Sequence, residues 1–132
     1  MVNGAPEAIA STVKGDAPTA TGGTIANGTY FLTDFTVYDP AGTAQAPSPS
    51  GLRLTLAIKG NLMESIQTFP DDTSGTFAET FVVNGTAIDR TLTCPKNAPD
   101  LKAVYSVGDK TLTLYETDST SKLVAGNVFV KQ

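Results

Sequence analysis

Beyond residue 28 apolar and polar residues mostly alternate with period two, a spacing that predicts strands rather than helices. From Gly51 to Lys59 the chain sends Leu52, Leu54, Leu56 and Ile58 one way and Arg53, Thr55, Ala57 and Lys59 the other. Gly60-Asn61 is then a two-residue turn, and the return strand to Phe69 sets Met63 opposite Ile58, Ser65 opposite Leu56 and Gln67 opposite Leu54. The same form recurs from Thr76 to Cys94 around Asn84-Gly85, a pair suited to a type I′ loop because both residues tolerate positive φ. That turn sets Phe81 against Ile88, Glu79 against Arg90 and Phe77 against Leu92 on one face. A third hairpin turns on Gly108-Asp109, and its buried face holds Ala103, Tyr105, Val107, Leu112 and Leu114.

Two further strands complete a set of eight. One opens at Asn27-Gly28-Thr29-Tyr30 and runs to about Tyr38; periodicity does not decide whether its Tyr30, Leu32, Asp34 row or its Phe31, Thr33, Phe35 row is buried. The other runs from Lys122 to Lys131, with Gly126 as the candidate for a bulge. The connections alternate in kind: tight turns join strands two to three, four to five and six to seven, while longer loops, including Pro95 to Leu101, join the rest. Residues 39–50, with Pro40, Pro47 and Pro49, form the longest loop. In an antiparallel meander this places every tight turn at one end and every long loop at the other. The expected fold is therefore all-β: an eight-stranded antiparallel up-and-down β-barrel over residues 25–132, closed to remove its edge strands. Residues 1–24, rich in Ala, Thr, Gly and Pro, read as a tether in which a short helix from Pro6 to Gly15 could form.

Composition narrows the function. The chain has 132 residues, a net charge of −4 and no His, so it is one domain, without the basic patch that nucleic acid needs and without a histidine base or His metal ligand. No stretch is long and apolar enough for a transmembrane helix. No carboxylate pair has a spacing that demands acid–base work, no phosphate loop is present, and the chain reads as a non-enzyme with no cofactor. The acidic residues of the long loops, among them Asp39, Asp71, Asp72, Asp100 and Asp118, read as turn residues on a solvated rim. Cys94 is alone and is expected to be a small buried apolar side chain. A Thr-rich, Lys-poor, thiol-poor acidic chain points to an extracytoplasmic bacterial protein, periplasmic, cell-surface or secreted, whose signal segment would precede Met1.

The sharpest candidate chemistry is Glu79 with Arg90, two charges on an otherwise apolar face. Either they satisfy each other and fix register, or with Ser65, Gln67 and Tyr105 they anchor a ligand inside the barrel. Gly28-Thr29-Tyr30 resembles the Gly-x-Trp signature of the lipocalin-like (calycin) barrels, with Tyr30 in place of the tryptophan and Lys131 nearest to the arginine that covers it. The resemblance implies a small barrel of secreted or lipoprotein type, Tyr30 pointing inward as its floor and as a ligand contact, and residues 39–50 as a lid. Two functions follow: a binding module for a small apolar or amphipathic ligand, or a tethered structural or protein-interaction domain with a filled barrel and its function in the rim loops.

Overall fold

The computed structural model describes residues 2–96 and 100–132, and strands make up the regular structure throughout. Ten of them share one sheet: β1 (Ile9–Val13), β2 (Gly28–Tyr38), β3 (Gln45–Pro49), β4 (Arg53–Lys59), β5 (Leu62–Thr68), β6 (Ser74–Asn84), β7 (Ala87–Cys94), β8 (Leu101–Val107), β9 (Thr111–Thr117) and β10 (Val124–Lys131). The eight strands expected from alternation are β2 and β4 to β10. They pair antiparallel in chain order, β2 with β4 and onward, and β10 returns to β2 from Val124 opposite Tyr38 to Lys131 opposite Tyr30. The eight thus close into a ring, and closure leaves few unpaired edges to template association. The expected loop from Pro95 to Leu101 falls partly on residues 97–99, outside the described residues.

All three tight connections lie at one end of the ring, its base, where residues 22–28 reach each in turn. Gly60 N–H donates to Asn27 Oδ1 at 2.8 Å, Gly22 lies against the Gly85 carbonyl, and Gly22 exchanges backbone hydrogen bonds with Tyr105 and Val107 at 2.8 and 3.0 Å. The turn at Gly60-Asn61 sits where expected, with Ile58 opposite Met63, Leu56 opposite Ser65 and Leu54 opposite Gln67. The other two slide by one residue. Asn84 pairs with Ala87, leaving Gly85-Thr86 as the loop, and Val107 pairs with Leu112 around a turn at Asp109-Lys110. Gly85 has φ +62° whereas Asn84 and Thr86 stay at negative φ, which is the II′ pattern with glycine first, not the I′ pattern expected for Asn-Gly.

Two bulges reset which side chains face inward. In β2, Leu32 pairs with Phe129 and Asp34 with Val128, so Thr33 is the extra residue; its hydroxyl bonds the Asp34 carboxylate at 2.8 Å. Below it Tyr30 and Leu32 face the interior, above it Phe35 and Val37 do, and Asp34 is exposed. The two rows that periodicity could not choose between are each buried in half of the strand. In β7 a bulge at Thr93 pairs Cys94 with outward Ala78, and Cys94 is exposed rather than buried. Gly126 marks no bulge in β10; it leaves room on the outer face for Tyr38 and Tyr115, whose ring centroids are 6.5 Å apart.

Within residues 1–24, expected as a tether, Ile9–Val13 is a strand of the sheet and Gly22 bridges to Ser106. The stretch offered as a helix contains β1, which pairs parallel with β2 from Ile9 opposite Asp34 to Val13 opposite Tyr38, and antiparallel with β3 inside the expected lid loop. β2 pairs with β4 only over Gly28–Phe31, so above the Thr33 bulge β1 takes the place beside β2, and Ala8 bonds Leu52 and Ser50 at its start. Ahead of β1, Asn3 reaches Arg53, Thr55 and Thr68 with hydrogen bonds of 2.9 to 3.1 Å, and Ala5 and Ala8 are buried. Thr55, on the outward row of β4, is buried because this segment covers it. The core fills the base half of the ring, where Tyr105, Leu32, Met63, Ile88 and Leu112 are the largest fully buried side chains. Each contributes roughly 1.5–3 kcal/mol by leaving water.

Candidate functional site

Above that core the ring is not filled. A cavity of about 390 Å³ occupies its interior and draws lining from all eight ring strands: Leu32 and Phe35 of β2, Leu54 of β4, Ser65 and Gln67 of β5, Phe77 and Glu79 of β6, Arg90 and Leu92 of β7, Leu101 of β8, Leu114 and Glu116 of β9, and Asn127 and Phe129 of β10. A second cavity of about 560 Å³ shares Phe35 and Glu116 with it and continues to the loop after β9, lined there by Asp118, Ser119 and Ser121. Together they form an opening at the long-loop end.

The polar pole of the cavity is a cluster of three charged groups. Because the Gly85-Thr86 turn moves each partner by two positions, Arg90 lies opposite Phe81 and Glu79 opposite Leu92, not opposite each other as expected. All four nevertheless keep their inward facing, and the diagonal places Arg90 Nη1 3.6 Å from Glu79 Oε2, an ion pair too long for a hydrogen bond. Arg90 Nη2 reaches past β8 to Glu116 of β9, donating a hydrogen bond to Oε1. Arg90 is only 7% exposed. Its Nε–H and Glu79 Oε2 are both buried without a hydrogen-bond partner, so one donor and one acceptor stand unused at the pole. Burial raises the Glu79 carboxyl above its ordinary value of 4.5; the Arg90 charge opposes that rise and the Glu116 charge adds to it.

Four of the six residues singled out from the sequence, Ser65, Gln67, Glu79 and Arg90, meet in this cavity. Tyr30 and Tyr105 do not line it. Both point into the base core, and their hydroxyls donate to the carbonyls of Ala26 at 2.7 Å and Gly23 at 2.8 Å, tying the crossing segment to the floor. Lys131 pairs with Tyr30, and its side chain lies against Gly28. Glu116 was missed, although its signal was present: one more step of the Leu112, Leu114 row turns it inward. Phe35 had no such signal, since the Thr33 bulge decides its facing. At the rim Asp71 and Asp118 accept hydrogen bonds from their own turns, Thr73 for the first and Thr120 with Ser121 for the second. Among the described residues no group of three or more Cys, Asp or Glu is placed to hold a metal ion.

No protein-family model matches the chain, and no curated protein matches it. In fold it is similar to the crystal structure of an uncharacterized protein from Bacteroides eggerthii, with a TM-score of 0.53 and 14% sequence identity over 80% of this chain and 98% of that one. At that identity the likeness speaks for the fold alone.

Proposed function

We propose that the protein is a small lipocalin-like β-barrel that binds, without chemistry, a small apolar or amphipathic ligand in the open half of its interior. The carrying observation is the cavity of about 390 Å³ with apolar walls and one buried polar pole, the usual make-up of a small-molecule site. At about 30 Å³ per water-sized unit it admits roughly a dozen non-hydrogen atoms, so the ligand is small. The closed eight-strand pairing supports the barrel reading, and the low-thiol, Thr-rich composition supports a place outside the cytoplasm, as a secreted protein or lipoprotein.

An interaction domain is the second reading. Val82, 68% exposed, and Val104 on the outer face of β6 and β8 favour it, while the unfilled interior and the docked N-terminal segment do not. Titration with the neutral dye N-phenyl-1-naphthylamine separates the two. Binding is expected to saturate at one dye per chain, and Ser65→Trp, which fills the cavity from β5, is expected to abolish it at an unchanged melting temperature. No binding by the wild-type chain, or undiminished binding by the variant, defeats the ligand reading.

A further inference from the structure

With Glu79 and Glu116 both ionised, the charges at the pole do not balance. One guanidinium, Arg90, faces two carboxylates, Glu79 and Glu116, and the cavity lining holds no other titratable group among the described residues. From β5 come only Ser65 and Gln67, from β8 Leu101 and from β10 Asn127 and Phe129. Glu116 takes the hydrogen bond from Arg90 and sits toward the opening, its side chain 39% exposed, where water assists it. Glu79 is the deeper of the two, its side chain 14% exposed, with an ion pair of 3.6 Å and no hydrogen bond at Oε2. A buried carboxylate in that position shares its one cation with Glu116 and has no donor at Oε2, so its desolvation is only partly offset.

We infer that the cavity selects an amphipathic ligand whose head is a protonated amine, seated against Glu79, with its apolar body along the Leu54, Phe77 and Leu92 walls. The inference rests on the binding reading above and names the chemistry of its ligand. An ammonium supplies the single positive charge that brings the pole to zero, and it offers the donor that Glu79 Oε2 lacks. An anionic head has only the free Nε–H of Arg90 to bond, and there it would face both Glu79 and Glu116, at the cost of two like-charge contacts. The site therefore discriminates by repulsion as well as attraction, the condition for selectivity between ligands of one shape.

Three probes of equal chain length decide the matter: octylamine, octanol and octanoate, titrated calorimetrically into wild-type protein at pH 7. Octylamine is expected to bind at least tenfold tighter than octanoate, with octanol between them. Acidification through the raised titration range of Glu79 is expected to weaken octylamine, which stays protonated, by neutralising Glu79, and to leave octanol unchanged. Glu79→Gln is expected to cut octylamine affinity tenfold or more and to leave octanol within twofold; should that variant fail to fold, the ranking and its acid dependence on wild-type protein still decide. Octanoate binding as tightly as octylamine, or equal affinity for all three, overturns the amine assignment while leaving the ligand-binding reading in place. Failure of all three probes together with the neutral dye overturns both.

Discussion

At the scale of single residues, Arg90 owes its place to Glu116 as much as to Glu79. A pair sealed between Glu79 and Arg90 alone would leave a stranded guanidinium if Glu79 were removed, at about 3–5 kcal/mol. With Glu116 already holding Nη2, loss of the Glu79 charge costs far less, since burial disfavours that charge in the first place. The consequence is a pH dependence of definite sign. Between the ordinary value of 4.5 and the raised value of Glu79, the folded chain holds a proton that the unfolded chain has released, so stability falls as pH rises through that window. Asp71 and Asp118 act oppositely. Thr73 through its hydroxyl and N–H, and the N–H groups of Thr120 and Ser121, hold these carboxyls below 3.8; their contribution is present above 3.8 and lost as pH falls through the lowered values. Thermal melts from pH 3 to pH 7 should show both slopes in the wild-type chain, and Glu79→Gln should flatten the upper slope alone. A variant that keeps the decline above pH 4.5 would locate the buried carboxyl elsewhere.

Among the elements, turns and bulges had opposite effects on what the sequence could reveal. Sliding a hairpin turn by one residue moves each partner by two, so Arg90 changed neighbour from Glu79 to Phe81 without changing face, and the interior row of every hairpin was legible from alternation. A bulge moves the register by one, and one step reverses the face. Thr33 and Thr93 carry no marker of that event, which is why Phe35 was not expected in the cavity and Cys94 was expected in the core. The turn itself is open to test. Gly85 occupies φ +62° and Asn84 does not have a positive φ, so Gly85→Ala should cost about 1–2 kcal/mol in urea denaturation. Asn84→Ala should stay within about 0.5 kcal/mol. A comparable loss at both positions would restore the Asn-Gly loop and, with it, Glu79 directly opposite Arg90.

For the whole molecule, the N-terminal segment is the part that composition concealed, because it is held by backbone rather than by large apolar side chains. Ile9 and Val13, the two side chains that might have docked it, are 36% and 43% exposed, whereas Ala5 and Ala8 are buried because small residues let the backbone approach the sheet. β1 completes the wall above the short β2–β4 pairing, Asn3 makes three hydrogen bonds to β4 and β5, and Gly4 lies against the Phe31 ring. At about 1 kcal/mol for each net hydrogen bond, the Asn3 contacts alone represent roughly 3 kcal/mol, before the β1 ladder and the exposure of Thr55 and Phe31 are counted. A chain of this length shifts its melting temperature by roughly 3–5 °C per kcal/mol. Deletion of residues 2–13 should therefore lower the melting temperature by about 10 °C or more in differential scanning calorimetry. It should also weaken dye binding, since the cavity would then open sideways between β2 and β4 as well as at the long-loop end. A truncated chain that melts within 2–3 °C of the full one and still binds the dye would make the segment a passenger on a self-sufficient ring, and would assign the closing of the wall to β2 and β4 alone.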